Sequence, residues 1–132
     1  FGANSIMKEE VVVDHIERSL KYKNRYYVNV HGSIYSQNGT PDIITSDKNG
    51  RFMCIEVKAP KQQPKINQWR HVILNLKSNN NSRAIIAYED FDIDKVDNED
   101  IPKVKIGQVV GESEYNMLST QLNCTTELIF DD

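Results

Sequence analysis

The apolar positions of the first segment form one stripe: Val12, Val13, Ile16 and Leu20 recur at helical spacing between Lys8 and Leu20, while Asp14, Glu17, Arg18 and Lys21 take the other side. That pattern predicts an amphipathic helix. Tyr26 to Val30 is aromatic and β-branched and predicts a strand, and the polar, glycine-containing stretch from Gly32 to Thr40 predicts a loop. Two further strands are expected over Asp42–Ser46 and Phe52–Val57, joined by the five residues Asp47 to Arg51 in a β-hairpin. Centred on Asn49, the hairpin sets Ser46 across from Phe52, Ile44 from Cys54 and Asp42 from Glu56, all on one face. Ile55 and Val57 then point to the other face. After Pro64, at a tolerated first-turn position, Ile66, Trp69, Ile73 and Leu76 mark a second helix, which Asn79, Asn80 and Asn81 end. Trp69 reads as core. Arg83 to Tyr88 predicts a short buried strand.

Past Tyr88 the pattern weakens. Glu89 to Asp100 carries seven acidic residues against the single base Lys95 and reads as a solvated connection. Val104–Val110 is expected as a strand, Glu114–Leu122 as a helix and Glu127–Phe130 as another short strand. The whole predicts an α/β fold of order αβββαβ, a mixed sheet flanked by helices, plus a C-terminal extension. Residues 1–6 before Met7 read as a tag remnant, 7–88 as the core and 89–132 as an acidic extension packed on or beside it.

Composition narrows the class. A chain of 132 residues is long enough for one closed core. Its apolar runs fall far short of the roughly 20 residues a membrane span needs, so no membrane association is expected. No secretory pattern is seen near Phe1–Glu10, which sets the expectation of cytoplasmic residence. Cys54 and Cys124 lack metal or redox spacing and read as reduced thiols. The net charge of -3 conceals an asymmetry: residues 1–88 hold 13 Lys and Arg against 7 Asp and Glu, whereas residues 89–132 hold 3 against 12. Only the first part suits a polyanion, through groups such as Lys21, Lys23, Arg25, Lys58, Lys61, Lys65 and Arg70.

The hairpin register carries the chemistry. Two carboxylates directly opposed on a sheet repel unless a cation or a shared proton lies between them. Mg²⁺ takes oxygen ligands and keeps waters, which leaves positions for a phosphate and a nucleophile. Asp42 and Glu56 suit that ion, with the backbone carbonyl of Val57 as a further oxygen. Lys58, one pleat beyond Glu56, would hold the attacking water or offset charge growing on phosphorus. Glu9 falls on the stripe of Val12, Val13, Ile16 and Leu20 and should point inward as a third acid, whereas Glu10 shares the solvated side. His15, His31 and His71 lack ligand spacing and receive no role.

Gly39-Thr40-Pro41-Asp42, then Glu56-Val57-Lys58, then Gln68 on the following helix, resemble the PD-(D/E)XK nuclease superfamily and are most similar to its VRR-NUC family, over roughly Lys8 to Tyr88. The resemblance implies a restriction-endonuclease-like core with Asp42 and Glu56 as metal ligands, Lys58 as catalytic lysine, Gln68 as an active-site polar residue and Glu9 as the helix-borne acid. It also implies Mg²⁺ or Mn²⁺ as cofactor and DNA as partner. Small stand-alone phage and bacterial members are associated with cutting branched DNA as homodimers. Lys61, Lys65 and Arg70, which follow Lys58, are the candidates for DNA contact. The acidic stretch after Tyr88 departs from the family pattern.

The expected function is therefore a metal-dependent endonuclease hydrolysing DNA phosphodiester bonds with preference for a junction, flap or nick. Two other readings stand beside it. One is a restriction-like or mobile-element nuclease that needs a partner for target choice; the other is a non-catalytic nucleic-acid- or protein-binding module on the same fold.

Overall fold

A computed structural model describes residues 7–31, 39–79, 81–106, 112–122 and 124–130. The first helix, α1 (Glu9–Tyr22), buries Val12, Val13, Ile16 and Leu20, the stripe its sequence predicts. Acidic Glu9 and Glu10 stand in its first turn and Lys21 in its last, each favoured by the helix dipole. Asn24 then adopts a left-handed conformation that ends the helix and turns the chain into β1 (Tyr27–Asn29). Of the loop expected over 32–40, residues 32–38 lie outside the described residues, as do 1–6 and Asn80.

The hairpin forms as its alternation predicts. β2 (Ile43–Ser46) pairs antiparallel with β3 (Phe52–Val57), with Ser46 opposite Phe52 and Ile44 opposite Cys54. Its turn is built by Asp47, whose buried Oδ1 accepts from the backbone N–H of Asn49 and of Arg51, both at 2.9 Å. Gly50 supplies the positive φ of 83° that closes the turn.

After β3 the chain crosses through α2 (Ile66–Ser78) and returns as β4 (Arg83–Ala87), parallel to β3. Trp69, Val72, Ile73 and Leu76 are the buried stripe of α2. Ile66 was expected there but is exposed, because it opens the helix before the turn that meets the sheet. Trp69 is core, its ring edge-on to Tyr115.

The segment after Tyr88 corrects the expectation of a solvated connection. It holds a short helix, α3 (Ile93–Asp97), capped by the Asp92 side chain, which accepts from the Asp94 N–H. Phe91, Ile93, Val96 and Ile101 are buried against α1 and the sheet. Charge counting missed this because these acids meet bases of the core: Asp94 pairs with Lys23 at 2.7 Å, Asp97 takes two bonds from Arg25, and Glu99 pairs with Arg51. Lys23 and Arg25, basic residues expected to attract phosphate, are therefore engaged within the fold.

The chain then adds β5 (Lys103–Ile106), α4 (Glu112–Gln121) and β6 (Thr126–Phe130). Residues 107–110 of the strand expected over Val104–Val110 lie outside the described residues. This extension joins the sheet: β6 pairs antiparallel with β4 and β5 pairs parallel with β6. The result is an α/β fold with a mixed six-stranded sheet of order β1-β2-β3-β4-β6-β5. Helices cover both faces. One apolar cluster joins α1 and α3 to Ile43, Met53, Ile55, Val57, Ile85 and Ala87; the other joins α2 and α4 to Ala84, Ile86, Tyr88, Ile106 and Leu128. Beneath them, Arg83 is buried with Asp47 and Glu127 as partners, tying the hairpin turn to β4 and β6. Among the described residues no helix is long and apolar enough to cross a membrane.

Candidate active site

The hairpin brings its two acids together at one end of the sheet. Asp42 sits just ahead of β2, where the ladder has ended, so its side chain takes over a backbone position: Oδ2 accepts from the Val57 N–H at 2.8 Å. An extended residue directs its N–H and C=O to the same edge of its strand, which turns the Val57 carbonyl toward Asp42 as well. Asp42 and Glu56 each lie one residue past the last ladder pair, Ile43 with Ile55, and their carboxyls are in contact. Glu56 is 1% exposed; its Oε2 accepts from Gln68 Nε2 at 2.8 Å, while its buried Oε1 has no hydrogen-bond partner among the described residues.

Burial first, and then the charge and contact of Asp42, push the Glu56 carboxyl up to about 10, against the opposing pull of Lys58. Glu56 therefore holds its proton at neutral pH. Lys58 is buried and reaches Glu9, its Nζ 3.8 Å from Glu9 Oε1. Glu9 enters from α1 and is half-buried, whereas Glu10 is exposed, so the inward acid is Glu9. Burial and the charge of Asp42 raise its pKa above the usual carboxylate value, opposed by Lys58 and His31.

Gln68 is held from both sides. Its Oε1 accepts from the Lys65 N–H at 2.7 Å, satisfying a backbone donor at the start of α2 and aiming its amide nitrogen at Glu56. The loop before α2 is anchored by Tyr88, whose hydroxyl donates to the Gln62 carbonyl at 2.6 Å. Gly39, at φ +90°, runs so close to α2 that an added Cβ would lie 2.6 Å from the Asn67 carbonyl oxygen. Only glycine lets the strand carrying Asp42 approach the helix carrying Gln68. Lys61, Lys65 and Arg70 are exposed on the loop and helix that follow Lys58, at the same end of the sheet.

His31 is the residue that sequence reasoning missed. Its Nδ1 lies 2.6 Å from Asp42 Oδ1 and 3.4 Å from Glu9 Oε2. Burial opposes its protonation, but the hydrogen bond and charge of Asp42, with Glu9, prevail and raise its pKa above the usual value. The pairing of β1 with β2, Asn29 against Ile43, carries His31 toward Asp42; that register was the signal available. His15 stays structural, its Nε2 3.0 Å from the Phe91 carbonyl.

Three acids thus converge around one lysine and one histidine. A retained proton and a buried acceptor without a donor are what a hard divalent cation would replace, and the oxygen-rich donor set fits such an ion. No family model, curated protein or solved structure matches the chain. The site itself carries the functional argument.

Proposed function

We propose that the protein is a Mg²⁺- or Mn²⁺-dependent endonuclease that hydrolyses DNA phosphodiester bonds, with preference for a junction, flap or nick. The observation that supports it is the convergence of Asp42, Glu56 and Lys58 at one sheet end, with Gln68 bonded to Glu56 and Glu9 beside Lys58. Burying several acids around a lysine and a histidine is costly even when they compensate one another, so stability alone explains the cluster poorly.

Asp42, Glu56, Glu9 and the Val57 carbonyl would hold the ion. Bound there, it would acidify a water and polarise a phosphate oxygen. Glu56 must give up its proton to serve, and Gln68 fixes the orientation of the carboxylate that results. The Lys58 ammonium places a positive charge where a phosphate oxygen gains negative charge during attack. Lys61, Lys65 and Arg70, exposed at this end, would steady the flanking phosphates.

Purified protein incubated with linear, nicked, flapped and four-way DNA should cut with Mg²⁺ or Mn²⁺ and stop with EDTA. Glu56→Ala and Lys58→Ala should fall to background. Undiminished cleavage by both variants would refute the assignment.

A further inference from the structure

The reaction proposed above leaves His31 unused. Its Nδ1 is nonetheless 2.6 Å from Asp42 Oδ1 and 3.4 Å from Glu9 Oε2. Those three residues bring ligand atoms within 4.8 Å of one another. Neighbouring ligands of an octahedral ion with bonds near 2.1 Å stand about 3 Å apart, and the two His31 distances bracket that separation. A second observation points the same way. Glu56, in contact with Asp42, is 1% exposed and keeps an oxygen, Oε1, that has no hydrogen-bond partner among the described residues.

We propose that His31 Nδ1 is a ligand of the same divalent ion as Asp42 and Glu9, and that this nitrogen biases the site toward a first-row transition ion such as Mn²⁺ over Mg²⁺. The inference rests on the metal-dependent reading of the site. Nδ1 now donates to Asp42, and an ion bound there would displace that proton, leaving a neutral imidazole with its proton on Nε2 and a lone pair at Nδ1; histidine is the commonest protein ligand of such ions. Mg²⁺ gains little from nitrogen because it demands hard oxygen donors and gives up water reluctantly. Affinity for a mixed nitrogen and oxygen set rises along the first-row series instead. Three carboxylates would suit either ion; the imidazole makes the difference between them.

The test uses the full chain freed of metal. Mn²⁺ is titrated and followed by loss of the free-ion electron paramagnetic resonance signal, with Mg²⁺ as competitor, and pulsed spectra read out nitrogen bound to the ion. The wild type should show directly coupled nitrogen and bind Mn²⁺ at least tenfold more tightly than Mg²⁺. His31→Ala should lose the nitrogen signal and at least tenfold of that preference, with Mg²⁺ binding changed by less than threefold. His31→Asn, offering an amide oxygen, should keep Mg²⁺ binding and still lack the preference. A wild-type spectrum without coupled nitrogen, or an equal preference in all three proteins, overturns the proposal; in that case His31 only positions Asp42. Nitrogen-coupled Mn²⁺ in a protein that cuts no DNA would sink the nuclease reading and keep this one. Cleavage with no coupled nitrogen would do the reverse, and no Mn²⁺ binding at all would overturn both.

Discussion

Glu56→Gln should make the ion-free protein more stable at neutral pH. The Glu56 carboxyl is pushed up from 4.5 to about 10, by burial first and by Asp42 second. Below 4.5 the group is protonated whether the chain is folded or not, so it costs nothing. As pH rises through the window between 4.5 and about 10, only the unfolded chain releases the proton, and folding stability falls. The slope is about 1.4 kcal/mol per pH unit, which amounts to roughly 3 kcal/mol at pH 7. Glutamine has the same shape and no such proton. Its oxygen can accept from Gln68 Nε2 as Glu56 Oε2 does, and its amide can donate toward Asp42.

The assay is urea unfolding in a chelating buffer, run in steps from pH 4.5 to pH 8.5 on both proteins. They should be nearly equal at the acid end, and the variant should lead by roughly 3 kcal/mol near pH 7, about 10 °C in melting temperature. Adding Mn²⁺ should stabilise the wild type more than the variant, because the ion takes the place of the proton on Glu56. Parallel pH slopes for the two proteins, or a variant that is less stable at pH 7, would refute the claim that Glu56 is held neutral by its surroundings.

Two further substitutions test the frame around the site. Gly39→Ala forces a side chain into a φ of +90° and to 2.6 Å from the Asn67 carbonyl oxygen, so Asp42 and α2 must part; it should cost about 1–3 kcal/mol in urea unfolding and lower DNA cleavage by about tenfold or more. Phe91→Ala should cost about 3–5 kcal/mol, since its ring is buried between α1 and the sheet; a loss within about 0.5 kcal/mol would mean that the acidic stretch is solvated after all.

Asp42, Glu56 and Lys58 were legible because a strand repeats every two residues and a five-residue connection fixes the hairpin register. Once Ser46 meets Phe52, the faces of residues 42 and 56 follow. Glu9 was legible for a similar reason, the helical repeat that links it to Val12, Val13 and Ile16. His31 was not, because it stands beyond the end of a three-residue strand and meets Asp42, 11 residues on, only through the pairing of β1 with β2. No local period reports such a contact. The stretch from Glu89 to Asp100 misled for a different reason: α3 spans five residues, too few for a periodic stripe, so composition outweighed Phe91, Ile93 and Val96. Which bases its acids would meet depended on the tertiary fold.

The two measurements on Glu56 bear on one claim. A carboxylate kept for structural pairing loses its partner's compensation when neutralised, and the protein weakens. A carboxylate kept for an absent cation behaves in the opposite way, because its neighbours are arranged for a charge the protein does not itself supply. Here the neighbours are a second acid in contact, the charge of a third, Glu9, one neutral amide from Gln68, and the Lys58 cation, whose pull burial and the acids outweigh. The two apolar clusters on either face of the sheet hold that arrangement in place although it disfavours folding. Neutralising Glu56 should therefore stabilise the ion-free chain and abolish cleavage in the same molecule, a combination that neither a structural ion pair nor a solvated edge residue produces.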